Sequence, residues 1–412
     1  MAKKKILMLC DHPLSTSGVG TQSRWLIEGL IATGKYSFRV FGGAMKHQNY
    51  DIVKVNEDFI IRPTDGFGTK DLLKMVLATE KPDALLLFTD PRFFIWAWEM
   101  EDEIHQICPI AYWHLWDNDP WPEFNRVLYE STDLINCINW PTYTMVKDRF
   151  PQRTNYIPHA IPKQIYHQFE EQKRINTRKS LFGLDAEDKF IGLWVNRNAR
   201  RKMPGDVVDS WSKFLNKLDP KDRDNCLLVM HTDPFDNEGT NLYEVAKLRG
   251  VQKNIFFSTK RVGFDDMNAL YNSIDFCMNI STNEGFGLPT LEAMYTGKPI
   301  IAVKTGGLTK QVVNDDGSEN GIALEPEVRN LVGSQMVPYI YEDHVSNDTV
   351  AEAILKMYKM SPDERKKLGQ FAKENANKKY NFEKVVQAWD ETLTDTIENW
   401  KDNYKFWEKI TL

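Results

Sequence analysis

Short apolar runs alternate with longer amphipathic ones along this chain, and the alternation starts twice. In the first round KKILMLC reads as a strand, SRWLIEGLIATG as a helix ending at Gly34, FRVFGGA as a strand, KDLLKMVLATEKP as a helix and DALLLFTD as a strand. ICPIAYWHLWD, DLINCIN and NYIPHAI add strands, with PTYTMVKDRF as the helix before the last. A polar stretch, HQFEEQKRINTRKS, reads as a linker and surface helix. The pattern then restarts with KFIGLWVN and runs through PGDVVDSWSKFLNKL, NCLLVMHT, NLYEVAKLRG, NIFFST, FDDMNALYNS and DFCMNI. Strands separated by helices pair in parallel, with helices on the sheet faces. The expected fold is therefore α/β, with two doubly wound parallel-sheet domains. Their expected bounds are 1–162 and 186–391, joined by a linker at 163–185.

Bulk properties agree with two globular domains. A chain of 412 residues exceeds one ordinary core. Its net charge of −6 does not advertise nucleic acid or an anionic membrane as partner. The five cysteines, at 10, 108, 137, 226 and 277, form no CxxC pair, and buried free thiols in a reducing cytoplasm are expected. MAKKK leads into an apolar run too short for a signal core, and no stretch is long enough to span a membrane.

Within the second round, Ser281 to Gly307 carries the densest chemistry: STNEGFGLPTLEAMYTGKPIIAVKTGG. Pro289 suits the start of a helix and Gly297 its C-terminal cap, which predicts a short helix from Pro289 to Thr296. The N-terminus of such a helix favours anions. Gly285 and Gly287 let backbone amides approach a ligand. Glu284 lies before the helix and Glu292 is expected in its first turn, and carboxylates accept hydrogen bonds from hydroxyls. An anion site flanked by two hydroxyl acceptors fits a nucleotide sugar. A capping and a surface glutamate around an ordinary strand–helix turn would give the same residues. A second group, RNARRK, follows the strand KFIGLWVN: Arg197 and Lys202 flank Arg200 and Arg201 at the strand's carboxyl end. Such cations suit a diphosphate, and a solvated basic turn is the other reading.

EGFGLPTLEAMYTGKP followed by TGG resembles the signature of retaining glycosyltransferases of family 4, the glycosyl transferases group 1. Glu284 and Glu292 match that family's E-x7-E pair. NR-x4-K is similar to its strand-end Arg and Lys, and SGVGTQSRWL to its N-terminal glycine loop. YWH falls where the family often has a His, and YIPHAI resembles its interdomain turn, with His-Ala in place of Asn-Gly. The resemblance implies the GT-B architecture, two Rossmann-like domains facing across a cleft. It also implies a final helix, near 392–412, packing back on the first domain, with Trp389, Trp400 and Trp407 available for that packing.

The implied activity is retaining transfer of a sugar from a nucleotide donor, UDP-sugar first and GDP-mannose next, with no metal and no cofactor. The DND at 117–119 is the nearest approach to a DxD motif and lies in the wrong domain. Implied catalytic residues are His114, Arg197, Lys202 and Glu284. Implied donor contacts are Gly18, Gly20, Arg197, Lys202, Arg261, Val262, Glu284, Gly285, Phe286, Gly287, Leu288 and Glu292, with Glu284 on the sugar and Glu292 on the ribose. HTDPFDNEG departs from the family, where a glycine-rich turn is common. A nucleotide-sugar epimerase and a catalytically silent nucleotide-sugar-binding protein are the alternatives. The acceptor is expected on GGAMKHQNY, TDPRFFIWAW and HLWDNDPWPEF, whose aromatics either stack on it or pack inside the domain. A glycan or lipid-linked glycan is the default, with a protein, a modified nucleic acid and a peripheral membrane contact left open.

Overall fold

A computed structural model describes residues 2–404. The described residues divide into two compact units, the first comprising 2–160, 334–338 and 382–404, the second 161–333 and 339–381.

The strands of the first unit are β1 (Lys4–Asp11), β2 (Tyr36–Gly43), β3 (Val53–Asn56), β4 (Phe59–Pro63), β5 (Ala84–Phe88), β6 (Ile110–His114), β7 (Leu134–Cys137) and β8 (Thr154–Tyr156). They form one eight-stranded sheet in the order β3-β4-β2-β1-β5-β6-β7-β8. All pairs are parallel except β3 with β4. The central runs are apolar on both faces because helices cover both; β5 and β6 are buried throughout. The β3–β4 hairpin is absent from the sequence reading: its strands are short, and the mostly exposed β3 has little apolar pattern to reveal it.

The helix Phe382–Asn403 belongs to this unit and begins earlier than the 392 expected from sequence. It buries Val385, Val386, Trp389, Leu393 and Trp400. Trp389 meets Trp113 edge-on at 5.0 Å between ring centroids, and the Tyr36 hydroxyl donates to Asp390 at 2.8 Å. Trp407 lies outside the described residues.

In the second unit β9 (Phe190–Val195), β10 (Cys226–His231), β11 (Ile255–Ser258), β12 (Phe276–Asn279), β13 (Ile300–Val303) and β14 (Gly321–Leu324) make a wholly parallel sheet, in the order β11-β10-β9-β12-β13-β14. A separate antiparallel pair is formed by β15 (Val328–Val332) and β16 (Ile340–His344). The core packs Trp194, Trp211, Phe190 and Phe276 with aliphatic side chains of the flanking helices. The segment expected as a linker contains the helix Glu171–Phe182. Its buried Arg178 donates to the Ala186 carbonyl at 2.8 Å and to Asp275 at 3.0 Å, which fastens the segment to this sheet. Sheet order reverses between β9 and β12, so the carboxyl ends of these two neighbours frame the crevice where ligands of doubly wound sheets bind.

Candidate functional site

Two strand-end turns meet in that crevice. The turn after β9 is locked to the loop after β10 by Asn198, which donates to the Thr240 carbonyl at 2.7 Å and accepts from the Thr240 N–H at 3.2 Å. A side chain at 239 would lie 2.0 Å from the Asn198 Oδ1, so only glycine fits there. Further on, Thr282 donates its N–H to the Arg201 carbonyl at 2.9 Å, and the Arg201 guanidinium donates to the Asn283 carbonyl at 2.8 Å. The two turns are thereby stitched together, and their charges converge. The Lys202 ammonium donates directly to the Glu284 carboxylate, with the Arg201 guanidinium 3.7 Å from the same oxygen. Both Lys202 and Glu284 are buried. Burial pushes the Glu284 carboxyl up, but Lys202 and Arg201 outweigh it and hold it below the ordinary carboxylate range.

Arg197 is placed elsewhere. It grips Asp236 bidentately at 2.7 and 3.1 Å, lies 3.2 Å from Glu238, and is 59% exposed. The acids come from DPFDNEG, the segment that departs from the family pattern. Arg200 forms a forked pair with Glu342 on β16. Of the four cations in RNARRK, the structure therefore brings Lys202 and Arg201 to Glu284. Spacing gave no signal for choosing Arg201, because neighbouring turn residues point in directions that only the folded backbone sets.

The loop 284–287 is held from its far side. Gly307 donates its N–H to the Glu284 carbonyl at 2.9 Å, and a Cβ at 307 would sit 2.3 Å from the Phe286 Cα. The Gln311 amide donates to the Phe286 carbonyl at 2.7 Å and accepts from the Thr290 hydroxyl at 2.7 Å. Phe286 is buried and its ring meets Tyr380 edge-on, while Gly285 and Leu288 are partly exposed. Gly287 takes a φ of 92°, a left-handed conformation that opens the helix Leu288–Tyr295. The helix starts one residue before the position expected from Pro289, and Glu292 consequently falls in its second turn rather than its first.

Glu292 faces an environment unlike that of Glu284. Its Oε2 accepts from the Tyr271 hydroxyl at 2.6 Å, and the Tyr166 phenol faces the same carboxyl. Burial raises its pKa to about 7, and the two phenols only partly offset this. Neither tyrosine was singled out from sequence, since nothing in the spacing of 166, 271 and 292 links them. Arg261 and Val262 are exposed in the loop between β11 and the helix Phe264–Asn272.

The first unit holds the remaining candidates at the carboxyl ends of its own strands. The expected glycine turn is shorter than its sequence suggests: Ser17 caps a helix that already begins at Gly18. Gly18 and Gly20 therefore belong to the first helical turn. A Cβ at 20 would lie 2.3 Å from the Ser15 Oγ and 2.6 Å from the His12 carbonyl. His114 ends β6 fully buried, its Nε2 3.2 Å from the Tyr129 hydroxyl and its Nδ1 without a hydrogen-bond partner among the described residues. Burial lowers its pKa to about 3, so it stays neutral. Trp98, Trp116 and Trp121 of the expected acceptor loops are buried, which makes them packing residues. Met45, Tyr50 and Phe93 of those loops are exposed.

Comparison with known proteins bears on this geometry. Residues 192–335 match the family model described as glycosyl transferases group 1. N-acetyl-alpha-D-glucosaminyl L-malate synthase of Bacillus anthracis is 20% identical over 288 residues, which cover 68% of this chain and 65% of that protein. The chain thus spans less than two thirds of that relative's length, and smaller shares of other curated relatives. Among solved structures, sucrose-phosphate synthase (tll1590) from Thermosynechococcus elongatus superposes with a TM-score of 0.73 at 15% identity, over 96% of this chain and 100% of that one. Anabaena Alr3699/HepE, solved in complex with UDP and glucose, gives a TM-score of 0.69 at 17% identity over 95% and 100%. The segment that matches glycosyl transferases group 1 holds the converging turns after β9 and β12, and the fold shared over nearly the whole chain is the GT-B fold.

Proposed function

We propose that this protein transfers a sugar, with retention and without a metal, from a nucleotide-diphosphate sugar to an acceptor hydroxyl. The observation that carries this reading is the buried Lys202–Glu284 pair beside Arg201, at the order reversal of the second sheet. The leaving diphosphate needs cationic charge as its bond to the sugar breaks, and preorganised charge in a secluded site is the largest electrostatic contribution available. Lys202 supplies it from inside the crevice. Arg197 adds to it once diphosphate replaces Asp236 and Glu238 as its partner. Glu284, ionised, accepts hydroxyls of the transferred sugar, Glu292 accepts those of the ribose, and the amides of Gly285 to Leu288 approach sugar and phosphate. Arg261 and Val262 contact the base. Gly18 and Gly20 give a close backbone approach in the first unit. Neutral His114, with its unpartnered Nδ1, hydrogen-bonds the sugar near the reacting carbon rather than acting as an acid.

A UDP-sugar is the first donor to test, supported by the UDP bound in Alr3699/HepE, and GDP-mannose is the second. The acceptor is a glycan or lipid-linked glycan. Five unpaired, buried cysteines fit a reducing compartment, and we place the protein in the cytoplasm. No helix among the described residues is long and apolar enough to cross a membrane. Nucleotide release from UDP- and GDP-sugars, measured with and without glycan acceptors, tests the proposal. A transferase releases nucleotide, faster when acceptor is present. An epimerase converts the donor without release, and a silent protein does neither.

A further inference from the structure

Glu292 is fixed by a device outside the family signature. The segment that enters the second unit lies along the helix Phe264–Asn272 and is laced to it by two asparagines. Asn268 accepts the His167 N–H at 3.2 Å. Asn272 accepts the Phe169 N–H at 2.7 Å and returns a bond to the His167 carbonyl at 2.9 Å. The lacing sets Tyr166 edge-on against Tyr271, with ring centroids 5.6 Å apart at 87°. Phe264 closes the other side of Tyr166 at 6.4 Å. Both phenols are buried and both address the Glu292 carboxyl, Tyr271 through the 2.6 Å bond to Oε2. Glu292 as a whole residue is half-buried.

We infer that Tyr166 and Tyr271 are positioning residues: they hold one side of the Glu292 carboxylate, so that its free oxygen is presented in a single orientation to the ribose hydroxyls of the donor. A glutamate on a short helix has three rotatable side-chain bonds. Left unheld, it would lose rotamer entropy each time it met a ribose. Two phenol donors remove that cost beforehand, and their edge-to-face packing prevents them from turning away. A carboxylate already accepting from the Tyr271 hydroxyl, with the Tyr166 phenol facing it, also matches a vicinal diol on its free side. The arrangement therefore selects ribonucleotides over nucleotides lacking those hydroxyls. This inference rests on the ribose role proposed above for Glu292.

The test compares the binding of UDP with that of 2′,3′-dideoxyuridine diphosphate to the full chain, by calorimetry, with GDP and its dideoxy form as a second pair. Hydrogen bonds to a charged group are worth about 1.5–3 kcal/mol, so the wild type should prefer the ribonucleotide by about 10- to 100-fold. Tyr271→Phe and Tyr166→Phe remove one hydroxyl each and keep the ring packing. Each should cut the preference severalfold, and the double variant should bring it close to that of Glu292→Gln, with the dideoxy affinity unchanged throughout. A purely structural role would weaken both ligands alike. Tyr271, Tyr166 and Cys277 are the titratable groups facing Glu292, and loss of a phenol donor should also move the pH midpoint of UDP binding upward. If Glu292→Gln collapses the preference while both phenylalanine variants retain it, the positioning role is overturned and the ribose role stands. If Glu292→Gln retains it, both fall.

Discussion

Glu284 and Glu292 are the same residue type within one continuous stretch, yet their surroundings push them in opposite directions. Glu284 sits on the Lys202 ammonium with Arg201 beside it, and those charges hold it ionised against the pull of burial. Glu292 has, among the described residues, phenols rather than a cation against it, and burial lifts it to about 7. Paired carboxyls whose environments separate their pKa values take separate duties. Here one is a permanent anion inside a cation cluster, suited to sugar hydroxyls next to the cations that a diphosphate needs. The other is a hydrogen-bonding group poised near neutrality, suited to hydroxyls.

Breaking the Glu284 side should produce the largest effect. Lys202→Ala leaves a buried carboxylate with the more distant Arg201 as its cation, and removing one partner of a buried pair costs about 3 kcal/mol or more. Transfer should fall by about 10²–10³-fold, as on loss of one preorganised transition-state contact. Chemical denaturation and nucleotide release measure the two. Arg197→Ala separates catalysis from stability. Its ion pairs with Asp236 and Glu238 are largely exposed, so the fold should lose less than about 1 kcal/mol while transfer drops by about 10²-fold. Wild-type turnover in this variant would confine the diphosphate to Lys202 and Arg201.

The Glu292 side can be read through pH. A carboxyl with a raised folded pKa binds its proton more tightly in the native state. Its contribution to stability is present below the ordinary value of 4.5 and is lost as pH rises through about 7. Glu292→Gln should therefore gain stability relative to wild type between pH 5 and 8, by about 2 kcal/mol. Glu284 has the opposite sign: its depressed pKa contributes stability that is present above the ordinary value and disappears in acid. Melting curves of wild type, Glu292→Gln and Glu284→Gln, run from acid well below the ordinary value of 4.5 up to pH 8, would show the two slopes, and parallel curves would erase the contrast. The smallest effect belongs to the loop's support. Gln311→Ala removes hydrogen bonds to the Phe286 carbonyl and from the Thr290 hydroxyl, and should cost about 1–2 kcal/mol with a modest rise in donor KM.

Both sheets were legible from sequence because a parallel strand buried on both faces leaves a run of apolar residues, and its crossover helix leaves an amphipathic one. KKILMLC, DALLLFTD and KFIGLWVN needed no tertiary information. The β3–β4 and β15–β16 hairpins left weaker traces: β3 and β15 are mostly exposed, and exposed strands lack that apolar run. The helix start at Gly18 was displaced by the small polar residues that cap it, since Ser and Gly mark turns and helix caps alike.

At the site, residue order alone supplies the chemical inventory: two glutamates eight positions apart, a cluster of cations at a strand end, and glycines where backbone must approach backbone. Those features are local, dictated by turn geometry and the period of the elements. Tertiary structure decided the pairing. Whether Arg197 or Arg201 faces Glu284 depends on which way each residue of one turn points, and on the acids that the next loop offers. That Tyr166 and Tyr271 hold Glu292 depends on a segment more than a hundred residues upstream lying against one helix. Burial and partner, which set the charge of each glutamate, exist only once distant segments have packed together.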